Sequence, residues 1–222
     1  MDDILAPTPV LRCDVLLQPR TQSILQDTIM EQVSSRSSRS PSPPREAPTS
    51  WSELPDEGFL EEEGFSWYAP DKWLSVEIGQ VFENRYQVLL KLGYGSVSTA
   101  WLCRDLQIHR YVTLKVYETG HRQALNENKV LEHLRAKIES QEDNPGRHPG
   151  ADFVRLALDK FEVPGVAGPH VCIVHQPLSL TLKDMREMAD GQLPEEMLKP
   201  FVGQMLVGLD FLHSVANVVH TG

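Results

Sequence analysis

Cysteine is scarce. The 222 residues hold three, Cys13, Cys103 and Cys172, odd in number and far apart. That pattern offers neither a disulfide framework nor metal-ligand spacing, and it points to a reducing compartment. No apolar run approaches the length that spans a bilayer. Met1-Asp2-Asp3 is acidic where a secretory or mitochondrial leader is basic, so no targeting peptide is expected. Basic residues nearly vanish between 46 and 86, where ten carboxylates face only Lys72 and Arg85. Most of the net charge of −10 therefore sits in one belt. Such a belt suits basic partners and disfavours nucleic acid or an anionic membrane, although a solvated acidic linker is the simpler account of it.

What is present divides the chain. Residues 1–58 read as a disordered tail in which Ser, Arg and Pro take over from Ser34. The run 34–45 contains two Arg-Ser and two Ser-Pro dipeptides, whose serines are candidate phosphorylation sites. Residues 59–84 form an acidic lead-in interleaved with Phe65, Trp67, Tyr68 and Trp73, a density of aromatics that predicts packing on a domain.

The informative stretch is 92–115, LGYGSVSTAWLCRDLQIHRYVTLK, which predicts a glycine-bearing hairpin and then a strand that delivers a lysine. Gly93 and Gly95 let the backbone approach something bulky, and amides in such a loop can point at phosphate oxygens. Val112, Leu114 and Val116 alternate with Thr113, Lys115 and Tyr117, which puts Lys115 on the face opposite the apolar set. A lysine beneath a glycine hairpin suits an α/β-phosphate, as in the protein-kinase arrangement G-x-G-x-x-G-x-V followed by V-A-I-K. Here Ser98 replaces the third glycine and Ala100 the valine, and the glycines alone are compatible with a simple turn.

Residues 124–138 predict a helix with Glu127, Val130, Leu131, Leu134 and Ile138 on one face. Glu127 is a carboxylate on an apolar stripe, so it wants a cation, and Lys115 is the candidate. Residues 141–152 read as a loop. Residues 153–163 and 170–174 read as a strand pair, and 180–188 as a short helix. A longer helix is expected at 194–214, with Pro200 kinking it or delaying its start.

Strands, a helix after the third, more strands and then helices is the order of a kinase small lobe entering its large lobe. The segments NRYQVLLKLGYGSVSTAWLCRD, VTLKVY, ALNENKVLEHL, FVRLALDKFEVPGVAGPHVCIV, GLDFLHS and VVHT together resemble the SR-protein kinase family of serine/threonine kinases, over about 78–221. The resemblance implies an α+β, protein-kinase-like two-lobe fold. It would have a complete small lobe at 85–178, a five-stranded antiparallel sheet plus one helix, and only the first helices of a large lobe at 179–222. It also implies that Leu92-Gly93-Tyr94-Gly95-Ser96-Val97-Ser98-Thr99-Ala100 covers ATP, that Lys115 holds its α- and β-phosphates, and that Glu127 pairs with Lys115. His175 falls at the gatekeeper position, and Gln176 and Leu178 at the hinge would hydrogen-bond adenine through their main chains.

Departures from the family are His175-Gln176-Pro177, where an aromatic and a glutamate are usual, and a short spacing from Lys115 to Glu127. Gly222 stands at the position of the catalytic aspartate. The metal-binding asparagine and aspartate are absent, so Mg is expected only in a full-length form and the chain alone is expected to be inactive. The family implies phosphoryl transfer to serines of Arg/Ser-rich proteins, and a cytoplasmic or nuclear location. The alternative is a non-catalytic, pseudokinase-like binding or regulatory protein.

Overall fold

The computed structural model describes residues 40–46, 61–178 and 181–219. The remainder of the tail and Gly222 lie outside them. Six strands form one antiparallel sheet: β1 Val81–Phe82, β2 Tyr86–Tyr94, β3 Ser98–Asp105, β4 Arg110–Tyr117, β5 Ala157–Pro164 and β6 Pro169–His175, in the order β1-β2-β3-β4-β6-β5. The expected five-stranded sheet thus gains a short edge strand, β1. Its two residues are too few to show any periodicity.

The helices are α1 Arg122–Glu139, α2 Leu182–Met188 and α3 Glu195–Asp210, the last running into a wider turn at Phe211–Val215. Short 3-10 turns lie at Glu61–Gly64, Pro70–Lys72 and Pro149–Phe153. The last of these corrects the expected strand at 153–163. Pro149 fixes the first turn, and His148 Nδ1 accepts from the Gly150 amide, so the strand starts only at Ala157. Nor does Pro200 delay α3, which begins at Glu195 and continues through it. Among the described residues no helix is long and apolar enough to cross a membrane.

The described residues divide into two compact units, those within 40–124 and 157–177, and those within 125–156 and 178–219. In the first, the sheet is strongly curled. Four strand spacings of about 4.8 Å would put β2 roughly 19 Å from β5 in a flat sheet. Yet Tyr86 of β2 stacks on Phe161 of β5 at 5.8 Å, and its hydroxyl donates to Asp159 Oδ2 at 2.6 Å. Arg85 holds Asp105 at 2.8 Å and reaches Asp159 at 3.4 Å. Inside the curl lie Tyr86, Val88, Trp101, Cys103, Val112, Leu114, Val116, Cys172 and Val174, with Leu74 and Val76 of the lead-in packed against them. Burial pushes the Cys103 and Cys172 thiols up to about 12, so both stay protonated and inert.

In the second unit the core is Leu134, Ala151, Phe211, Leu212 and Ala216, flanked by Val130, Ile138, Leu156, Leu209 and Val218. Here α1 lends its apolar face to the turn at Pro149–Phe153 and to the end of α3.

Candidate nucleotide-binding site

The hairpin between β2 and β3 is built by its register. Gly93 pairs with Ala100 and Tyr94 with Thr99, with a register shift between Lys91 and Gly93 that leaves Leu92 as the extra residue. Gly93 follows this bulge with φ +156°, a conformation that side-chain-bearing residues rarely adopt. A Cβ there would meet nothing within 4 Å, so the backbone, and no crowding within the chain, demands the glycine. The Gly95 amide donates to Ser98 O at 2.7 Å, and the Glu118 amide donates to Val97 O at 2.9 Å, which ties the tip to the end of β4. Leu92, Tyr94 and Ser96 are exposed, whereas Val97, Ser98 and Thr99 are buried. Trp101 Nε1 donates to Thr99 Oγ1 at 2.9 Å and stiffens the returning strand.

Lys115 pairs in register with Ala100 on β3 and with Ile173 on β6. Directly paired residues share a face, so Lys115 shares one with Gly93, Ala100 and Ile173, opposite the buried Val112, Leu114 and Val116. His175, opposite Thr113, belongs to this face too. The Lys115 ammonium lies 4.8 Å from the centre of the buried Tyr117 ring, a position that leans the long side chain along the strand.

Glu127 is half-buried on α1, on the same side as the buried Ala124, Leu131 and Leu134. Lys115 and Glu127 belong to different units of the chain. Gln176 follows β6, and the unit boundary falls between Pro177 and the exposed Leu178. Among the described residues no group of three or more His, Cys, Asp or Glu could hold a metal ion.

One support of the hairpin escaped the sequence reading. Lys91 pairs with Glu61 and, at 2.7 Å, with Glu62, and its ammonium lies 5.9 Å from the Tyr94 ring and 5.7 Å from Trp101. Burial opposes this charge, but hydrogen bonds to the two carboxylates outweigh it and raise the Lys91 pKa. Phe65 stacks on Trp67 at 4.9 Å and meets Tyr94 edge-on at 5.8 Å. The acidic, aromatic lead-in thus braces the glycine hairpin on the face it shares with Trp101, opposite Lys115. The available signal was a lone lysine in β2 downstream of a carboxylate run.

A glycine hairpin over a strand lysine, in a curled antiparallel sheet of this order, defines the small lobe of a protein kinase. The comparisons go further. A serine/threonine protein kinase of Aspergillus fumigatus is 42% identical over 185 residues, 82% of this chain and 45% of that protein. SRSF protein kinase 3 of Sus scrofa is 36% identical over 183 residues, covering 81% of this chain and 31% of its own length. Serine/threonine-protein kinase SRPK of Physarum polycephalum is 31% identical over 164 residues, 72% of this chain and 37% of that protein. No family model matches the chain. The chain belongs to the SR-protein kinase family of serine/threonine kinases. It spans less than half the length of these relatives.

Proposed function

We propose that this chain is the nucleotide-binding part of a protein serine/threonine kinase whose full form phosphorylates serines in Arg/Ser-rich proteins, in the cytoplasm or nucleus. The observation that carries the reading is the pairing of Lys115 with Ala100 beneath the glycine hairpin. In this reading ATP supplies the phosphoryl group. The amides of the hairpin from Leu92 to Ala100 cradle its phosphates, and Lys115 supplies the positive charge for the α- and β-phosphates. The open space beside Gly93 and the shared face of Lys115 fit such a guest. Gln176, directly after β6, offers a main-chain partner for adenine, and His175 stands on the same sheet face as Lys115. No magnesium ligand is assigned to the described residues.

The test is a ligand-dependent thermal shift on the 222-residue chain. ATP should raise the melting midpoint of the wild type and leave that of Lys115→Met unmoved, with both chains melting alike without nucleotide. An equal shift in the two chains would remove Lys115 from the site.

A further inference from the structure

Residues 40–46 fall within the stretch whose composition predicts disorder, yet they are held against the sheet. Gln87, at the start of β2, is 1% exposed, and a buried carboxamide must find partners for both its oxygen and its nitrogen. It finds them on one residue. The Arg45 amide donates to Gln87 Oε1 at 2.8 Å, and Gln87 Nε2 donates to the Arg45 carbonyl at 2.7 Å. The side chain thereby acts as a neighbouring strand would, reading main chain only. Three residues earlier the Ser42 amide donates to Leu106 O at 2.8 Å, and Ser42 Oγ shares a hydrogen bond with His109 Nδ1 at 2.5 Å. Leu106 is itself buried and anchored through its amide to Arg85 O at 2.9 Å. His109 sits at φ +58° in the tight turn between β3 and β4. The host side is therefore rigid, and the guest contributes backbone and one hydroxyl.

We propose that Gln87, Leu106 and His109 form a peptide-docking slot filled in cis by residues 42–45, and that phosphorylation of Ser42 empties it. The Ser42-Pro43 dipeptide suits a proline-directed serine kinase with ATP as donor. Ser42 Oγ attacks the γ-phosphorus, the bond from that phosphorus to the β,γ-bridging oxygen breaks, ADP leaves, and the hydroxyl proton passes to the attacking kinase's base. The product oxygen has no proton left to donate. The 2.5 Å contact also leaves no room for a phosphoryl group between Oγ and His109. Arg45 attracts the new dianion, but its side chain is exposed, and an ion pair open to water contributes little. Losing the hydroxyl contact and displacing the Leu106 bond therefore wins, and the Arg45 clamp opens with them.

The test uses the full 222-residue chain with phosphoserine installed at position 42. Trypsin cuts after Arg45, whose two main-chain groups are clamped in the docked state. Cleavage there should accelerate roughly tenfold on phosphorylation, the size expected for losing one or two hydrogen bonds. Deuterium uptake at the Arg45 amide should rise in step. Gln87→Ala should reproduce the acceleration without any phosphate. If that variant does not fold, the phosphorylated chain, with its unchanged sheet, carries the test alone. Cleavage that is unchanged or slower in the phosphorylated chain would overturn the proposal, the slower rate meaning that the phosphate tightens the latch.

Discussion

The sheet unit and the helical unit hold themselves together differently. Ten buried residues line the curl of the sheet unit, closed at its far edges by Tyr86 on Phe161 and by the Arg85–Asp159 contact. Five buried residues form the core of the helical unit, and the line Leu198, Val202 and Leu206 of α3 stays exposed, Leu206 at 61%. Hydrophobic stabilisation scales with the apolar area withdrawn from water, so the first unit is the more stable folding unit and the second is marginal. The difference also fits the reading of the site, since the glycine hairpin and Lys115 both stand on the closed unit.

The sharpest way to break this comparison is at Gly150. A Cβ there would lie 2.1 Å from Val207 O and 2.6 Å from Phe211 Cβ, so neither backbone nor core can yield cheaply. Gly150→Ala should cost the helical unit about 3 kcal/mol. The four tryptophans, Trp51, Trp67, Trp73 and Trp101, all lie outside residues 125–156 and 178–222. Tryptophan fluorescence therefore follows the sheet unit, while circular dichroism at the helical band follows the helices. In Gly150→Ala the helical signal should melt well before the tryptophan signal. A joint fall of both midpoints would show one cooperative body instead of two unequal ones.

The sequence disclosed these units unevenly. Alternation on β4 placed Lys115 against the apolar set, and the apolar period of α1 gave that helix to within two residues at its start and one at its end. What α1 covers was not legible. Its stripe is drawn on by the Pro149–Phe153 turn and by Phe211 and Leu212, and periodicity names a face without naming its partner. Leu209 of α3 and Leu212 just after it turn into that same core. Docking of residues 40–46 was hidden for another reason. Gln87 reads backbone, and a Ser/Pro-rich composition carries no trace of a main-chain contact. The Lys91–Glu62 contact joins residues 29 apart, beyond the reach of any local pattern.

A smaller effect sharpens the contrast at α3. Leu206→Glu should change the melting of the helical unit by no more than about 0.5 kcal/mol, because a mostly exposed side chain makes few contacts to lose. It should still reduce both self-association and binding of a dye that reports apolar surface. The measurement is size exclusion and dye fluorescence on the two chains. Equal dye signals would show that α3 does not supply the exposed apolar surface, and the helical unit would then be as closed as the sheet.

The smallest effect is expected at α2, which has no buried residue and depends on its cap. Thr181 Oγ1 accepts from the Asp184 amide at 3.0 Å, while the Thr181 amide and hydroxyl donate to Asp184 Oδ2 at 2.9 and 2.7 Å. The hydrogen bonds from Thr181 hold the Asp184 carboxyl below its usual range. A carboxylate whose pKa is lowered by folding stabilises the helix above its unfolded pKa and ceases to do so as pH falls through the folded value. Acidification should therefore loosen α2 while the sheet strands stay protected, a difference that amide exchange at Thr181 and Asp184 resolves residue by residue. Thr181→Ala should make that exchange fast at neutral pH and flatten its dependence on acid. If protection at Thr181 stays level from neutral pH down to below the carboxylate range, the cap does not hold this helix, and packing must.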